Sequence, residues 1–145
     1  MVRYFFSFSS TEKAFKISDD IFGLIIDTVD VDIAERQRLK LIISELYMNA
    51  YLHGNKADRS KFIDVCMEIG QEEFVIIVKD EGTGMTGLRF NEMVDSMVDP
   101  ESATGRGIRI VYNLSDRMRI FKDERGKFCI KVVKKLNREP VLANQ

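Results

Sequence analysis

The sequence predicts an α+β fold of two layers, in which a mixed, mostly antiparallel sheet carries helices on one face. Residues 63–69 and 74–78 alternate apolar with polar side chains and are joined by a short turn, as are the closing segments 117–122 and 127–134. Consecutive strands that are joined by short turns pair antiparallel. Each strand has one apolar face, and that face must be covered by the helical segments of the chain.

Capping residues mark the starts of two helices that follow a first strand. Residues 2–8 alternate apolar and polar side chains apart from Phe5, and this period of two predicts the strand. Ser9 and Glu12 form a capping box, which predicts a helix that continues toward residue 28. Asp32 and Glu35 predict the start of a second helix, which extends to about residue 52.

Two further helices are predicted between the hairpins. A short amphipathic helix is expected around residues 90–97. A last helix is expected over residues 105–114, with Ile108, Val111 and Tyr112 on one side. The order of elements is therefore a strand, two helices, a hairpin, a loop with helices, and a closing hairpin.

Composition favours one globular domain over residues 1–145, with a polar tail from about residue 137. Hydrophobic residues make up 45% and charged residues 31% of the chain, and the net charge is −1. These values indicate a packed core, and they give no electrostatic reason for direct binding to nucleic acid or to a membrane. No apolar run approaches the roughly 20 residues of a membrane helix. No signal peptide or C-x-x-C pair is visible, so we expect a cytoplasmic protein with reduced thiols.

The closing strand carries polar and basic side chains that predict exposure to solvent. Cys66 and Cys129 both fall on the polar phase of their strands. A basic cluster indicates a solvated strand edge, which would discourage pairing with other strands. Its members are Lys131, Lys134, Lys135 and Arg138.

The second predicted helix carries an acid and an amide on one side. Glu45 and Asn49 are four residues apart, among mostly apolar neighbours, so their side chains share one helix face. An amide oxygen suits Mg²⁺, which takes oxygen ligands and keeps several waters, and a nearby carboxylate can act as a base toward a hydroxyl. The alternative is an exposed Glu–Asn pair on a solvated face.

An aspartate, Asp80, ends an apolar strand and is followed by Gly82 and Gly84. Its phase matches Ile76 and Val78, so its carboxylate points to the helix-covered side and needs a partner there. An adenine amine would be such a partner, and the glycines let a ligand approach the backbone closely. The alternative is an ordinary strand-to-loop turn.

The last predicted helix opens with the residues Thr104, Gly105, Arg106, Gly107 and Ile108. Free backbone N–H groups and the positive end of the helix dipole favour phosphate binding at such a start. The alternative is a flexible hinge, because a single Gly-x-Gly pattern is weak evidence.

The order of these motifs resembles the N, G1 and G2 boxes of the GHKL ATPase superfamily: Glu-x-x-x-Asn, then Asp-x-Gly-x-Gly, then Gly-x-Gly. The length of the chain, the residues His53-Gly54-Asn55 after the helix and the ending Gly105-Arg106-Gly107-Ile108 are similar to its anti-sigma-factor serine-kinase branch. The resemblance covers the chain roughly from residue 6 to residue 134.

This resemblance implies a Bergerat-type fold that binds ATP with Mg²⁺. Glu45 would be the general base, Asn49 the magnesium ligand, and Asp80 the partner of the adenine amine. The segment 85–104 would form a mobile lid. The other residues expected near the nucleotide are His53, Gly82, Gly84, Met85, Thr104, Gly105, Arg106, Gly107 and Ile108.

The function that the resemblance implies is an ATP-dependent protein serine/threonine kinase that also acts as an anti-sigma factor. Members of that branch hold a sigma factor in one state and phosphorylate a small antagonist protein in the other, and they are often homodimers. A nucleotide-gated binding module with little catalysis is the alternative, because the G2 box has only two glycines. The catalytic domain of a two-component histidine kinase would need a dimerising helical hairpin and a second histidine, and a gyrase-like ATPase would need further domains.

Overall fold

The computed structural model describes residues 1–82 and 106–138, the side chain of Arg106 excepted. The predicted helix around residues 90–97 and residues 139–145 of the predicted polar tail lie outside this part of the chain. The elements described are β1 (Val2–Ser9), α1 (Glu12–Asp27), α2 (Ile33–Met48), β2 (Phe62–Ile69), β3 (Glu73–Asp80), α3 (Arg106–Leu114), β4 (Arg117–Lys122) and β5 (Phe128–Lys135).

The five strands form one sheet in the order β1-β2-β3-β5-β4, and all four pairings between neighbours are antiparallel. One face of this sheet packs against the helices, because alternate residues of β2 and β3 are buried together with apolar residues of α1, α2 and α3. The predicted two-layer α+β fold is confirmed. No helix within residues 1–82 and 106–138 combines the length and the hydropathy needed to cross a bilayer.

Helix α1 begins after Thr11, and the predicted capping role of Ser9 is wrong. The Thr11 hydroxyl accepts the Ala14 N–H at 3.1 Å. Ser9 is still part of β1, where it lies opposite Phe62, so the chain is in the sheet at the position where the cap was expected. Asp32 does cap α2, since its carboxylate accepts the Glu35 N–H at 2.7 Å.

Helix α2 does not end at residue 52 as an ordinary α-helix. After Met48 the chain continues as a π-helical turn, Asn49–Gly54, which closes with a bond from the Asn55 N–H to the Ala50 carbonyl oxygen at 2.8 Å. A π-helical turn widens the helix by one residue per turn and is common at functional sites. In this chain it turns the residues after Asn49 toward the end of β3.

Strand β5 is not the solvated edge that its basic residues predict. It lies between β3 and β4, inside the sheet. Lys134 is only 7% exposed, so the predicted solvated edge is wrong, and Cys129 is fully buried although it falls on the polar phase of its strand. Burial raises the pKa of the Cys129 thiol to about 11. Tyr112 also differs from expectation, since it is exposed while Ile108 and Val111 of α3 are buried.

Candidate functional site

Helix α2 and the π-helical turn carry the acid and the amide of the candidate site. Glu45 lies in the last turn of α2 and is half-buried, and Asn49 is the first residue of the π-helical turn and is 8% exposed. The spacing of four residues across this junction keeps both side chains on the same side of the helix. The pair is therefore not the fully solvated one that the alternative interpretation required.

The start of α3 packs directly against the Glu45 carboxylate. A Cβ atom placed on Gly107 would overlap Oε2 of Glu45. A glycine at this position lets the backbone at the helix start approach the carboxylate more closely than any other residue could. Glu45 and Gly107, 62 residues apart in sequence, thus meet in the fold.

The Asp80 carboxylate is 2% exposed and lies on the helix-covered side of the sheet, as its phase predicts. Its Oδ1 accepts the Gly82 N–H at 2.9 Å. A Cβ atom on Gly54 would overlap this carboxylate, and one on Gly82 would overlap the Gly54 carbonyl oxygen. The end of the π-helical turn and the loop after β3 therefore pack backbone to backbone around Asp80.

Asn55 completes this region, and none of the three nucleotide motifs includes it. It is fully buried, and its side chain bonds to Ser10, Phe62 and the backbone of Glu81. The sequence signal was its place in the His53-Gly54-Asn55 segment of the family resemblance, which assigned it no role. A buried amide with three partners in distant segments is a property of the tertiary structure, which periodicity does not reveal.

The other predicted site residues fall into two groups. His53 is an exposed residue of the π-helical turn, and the side chain of Ile108 belongs to the apolar core. Arg106 begins α3. The remaining four lie outside the described part of the chain: Gly84, Met85, Thr104 and Gly105.

The donor set of this region fits a magnesium nucleotide. Within residues 1–82 and 106–138 no group of three His, Cys, Asp or Glu side chains could hold a metal ion by itself. Mg²⁺ is commonly held by one or two protein oxygens together with substrate phosphates, and Asn49 and Glu45 offer such oxygens. The glycines at 54, 82 and 107 keep side-chain carbons away from both carboxylates.

Comparison with known proteins finds similar chains that align over nearly the whole length of this one. The chain is 27% identical over 134 residues to the anti-sigma F factor of Clostridium perfringens strain SM101, and 29% identical over 136 residues to that of strain 13. Both alignments cover 92% of this chain and 94% of the relative. The anti-sigma F factor of Halalkalibacterium halodurans is 22% identical over 139 residues, which is 95% of each chain.

The family assignment follows from a match that spans most of the fold. The family model described as "Histidine kinase-like ATPase domain" matches residues 20–134, from within α1 to the end of β5. This range includes Glu45, Asn49, Asp80 and Gly107. The chain belongs to the histidine kinase-like ATPase domain family.

Proposed function

We propose that this protein is an ATP-dependent protein serine/threonine kinase that also acts as an anti-sigma factor. The observation that carries the proposal is the contact of Gly107 with Glu45, because it joins a helix start suited to phosphates to a carboxylate suited to accept a proton. Asp80 lies at the opposite end of the π-helical turn, where a purine would be held.

Each site residue has one role in this proposal. Asp80 accepts a hydrogen bond from the adenine amine, and Gly82 and Gly84 shape the pocket for the base. Asn49 offers its amide oxygen to Mg²⁺. Bound ATP supplies the phosphoryl group, and the metal offsets the charge on its phosphates.

Proton transfer and phosphate binding fall to residues at the other side of the site. Glu45 accepts the proton of the serine or threonine hydroxyl that is phosphorylated. The backbone N–H groups at the start of α3, with Gly105, Arg106 and Gly107, donate to the phosphates. His53 and Met85 border the nucleotide, and Thr104 and Ile108 flank the phosphate-binding residues.

One partner in this proposal comes from the names of the relatives, which are anti-sigma F factors, so it is a sigma factor. The other partner, a small antagonist protein that is phosphorylated, follows from the resemblance to the serine-kinase branch. We further propose a homodimer, a single domain over residues 1–145, and action in the cytoplasm, where sigma factors and ATP are found together.

A phosphotransfer assay with a candidate antagonist, ATP and Mg²⁺ tests the proposal. We expect phosphoserine or phosphothreonine on the antagonist, and Glu45→Gln should abolish transfer while nucleotide binding is kept. Glu12→Gln is the matched control, because Glu12 is exposed in the first turn of α1. Transfer by Glu45→Gln at the parent rate would show that Glu45 is not the base. Nucleotide-dependent binding of the sigma factor without any transfer would instead support the nucleotide-gated binding module.

A further inference from the structure

We propose that Asn55 is a positioning residue for the nucleotide base: its side chain fixes the backbone that follows Asp80, and thereby the direction in which the Asp80 carboxylate faces adenine. The inference rests on the proposed function, since it concerns the same pocket. It assigns a role to a side chain that the three nucleotide motifs leave out.

The Asn55 amide is fully buried and makes three hydrogen bonds. Oδ1 accepts the Glu81 N–H at 2.8 Å, and Nδ2 donates to Ser10 Oγ at 2.7 Å and to the Phe62 carbonyl oxygen at 2.9 Å. The three partners belong to the β1–α1 junction, the start of β2 and the end of β3. An amide with its oxygen on an N–H and its nitrogen on two oxygens has one satisfied orientation.

The backbone after Asp80 depends on this amide because the strand pairing of β3 ends at Asp80. The next N–H group, that of Glu81, is bonded to Asn55. The one after it, that of Gly82, is bonded to Oδ1 of Asp80 itself. Asn55 thus anchors the short segment whose N–H group holds the carboxylate.

The other side of the carboxylate is closed by the residue before Asn55. The backbone of Gly54 packs so tightly against Asp80 that a Cβ atom on Gly54 would overlap the carboxylate. Two adjacent residues therefore act on the same group: Gly54 contacts the Asp80 carboxylate, and Asn55 holds the backbone that follows Asp80. Small displacements of a binding group are costly where geometry is this constrained.

The direction of Asp80 matters for the choice of base. Adenine presents an amine donor where guanine presents a carbonyl oxygen. A fixed carboxylate accepts a hydrogen bond from the first and repels the second, whereas a carboxylate that can turn discriminates less. Loss of Asn55 should therefore reduce the preference for adenine more than it reduces the affinity that comes from the phosphates.

The experiment compares Asn55→Ala with Ser10→Ala, which removes one acceptor of Nδ2 but leaves the bond to Glu81. The measurements are amide hydrogen exchange at Glu81 without nucleotide, and the dissociation constants of Mg·ADP and Mg·GDP by calorimetry. For Asn55→Ala we expect exchange at Glu81 to be about tenfold faster and the preference for ADP over GDP to fall about tenfold, as for the loss of one buried hydrogen bond. Ser10→Ala leaves the Glu81 N–H bonded to Oδ1 of Asn55, so it should change both quantities less than Asn55→Ala does. If Asn55→Ala does not fold, Asn55→Ser takes its place with the same expectations, because its hydroxyl is too short to reach Glu81.

Parent-like exchange at Glu81 in the Asn55 variant, or a parent-like ratio of ADP to GDP affinity, would overturn the inference. A failure of the proposed nucleotide binding looks different, because the parent protein itself would then bind neither nucleotide, whereas a failure of phosphotransfer alone leaves the measured preference for ADP unchanged. A parent protein that binds neither nucleotide also ends the nucleotide role of Asn55, while the exchange rate at Glu81 still reports whether Asn55 holds this backbone.

Discussion

The two ends of helix α2 both bury polar groups, and they do so in different ways. At the N-terminal end Glu35 is fully buried and meets Lys134 at 3.1 Å, the Arg38 guanidinium at 3.3 Å and the Asn137 N–H at 2.7 Å. Beyond the C-terminal end, where the π-helical turn finishes, Asp80 of β3 is surrounded by the backbones of Gly54 and Gly82. Side chains of opposite charge surround Glu35 at the first end, whereas glycines at the second end let backbone atoms approach Asp80.

This difference separates a structural charge from a candidate ligand group. Glu35 joins the start of α2 to the end of β5, 99 residues later, and its neighbours leave no role for a ligand. Glycines beside a carboxylate place no side-chain carbons there. A ligand or another backbone segment can therefore come close. Burial alone does not distinguish the two cases, whereas the kind of neighbour does.

The largest expected effect is the loss of one partner at the N-terminal end. Glu35→Leu leaves the Lys134 ammonium buried without its counter-charge, and we expect about 3–5 kcal/mol lower free energy of unfolding in urea titrations. The double variant Glu35→Leu/Lys134→Met should recover most of this loss, because no charge then remains buried there. If the double variant were as unstable as the single one, the ion pair would not be the reason for the loss.

The next effect in size is the stabilisation by bound nucleotide, which should depend on Asp80 and not on Glu35. At 100 times its dissociation constant, Mg·ADP should stabilise the parent by about 2.7 kcal/mol, measured as a shift in thermal unfolding. Asp80→Asn should lose most of this stabilisation, because the adenine amine then loses its anionic acceptor. Glu35→Leu/Lys134→Met, the matched control at the other end, should keep it. Equal stabilisation of parent and Asp80→Asn would contradict the role of Asp80.

Glycine substitutions test the packing around Asp80 directly. Gly54→Ala should lower the free energy of unfolding by about 1–3 kcal/mol, because its Cβ has no room beside the carboxylate. Gly23→Ala in α1 is the control, since nothing lies within 4 Å of a Cβ there, and it should raise stability by about 0.5–1 kcal/mol through helix propensity. The two changes should therefore have opposite signs in chemical denaturation, and the same sign would contradict the tight packing.

The smallest expected effect lies between the two ends, at Tyr47. Its hydroxyl is buried and makes no hydrogen bond within the described residues. Burial raises the pKa of the phenol. The nearby Ser18 hydroxyl donates to the Phe15 carbonyl oxygen. Tyr47→Phe should leave the free energy of unfolding within about 1 kcal/mol of the parent, or raise it, because no bond is lost. A larger loss, seen by urea titration, would show that the hydroxyl has a partner.

Much of the site could be predicted because its signals are local. The phase of β3 placed Asp80 on the buried side, and the spacing of four residues placed Glu45 and Asn49 together. Asn55 was missed because its three partners are separated from it by up to 45 residues. Its bond to Glu81 depends on a π-helical turn that no sequence pattern indicated.

By itself the sequence determined the fold class, most of the strands and the start of α2, because side-chain periodicity and capping act over a few neighbouring residues. The tertiary structure alone decided that β5 lies inside the sheet, so that Lys134 is buried against Glu35 rather than solvated. It also decided that Gly107 meets Glu45 and that Gly54 meets Asp80. Strand order and helix packing depend on contacts between distant segments, and a local pattern that fits several arrangements cannot choose among them.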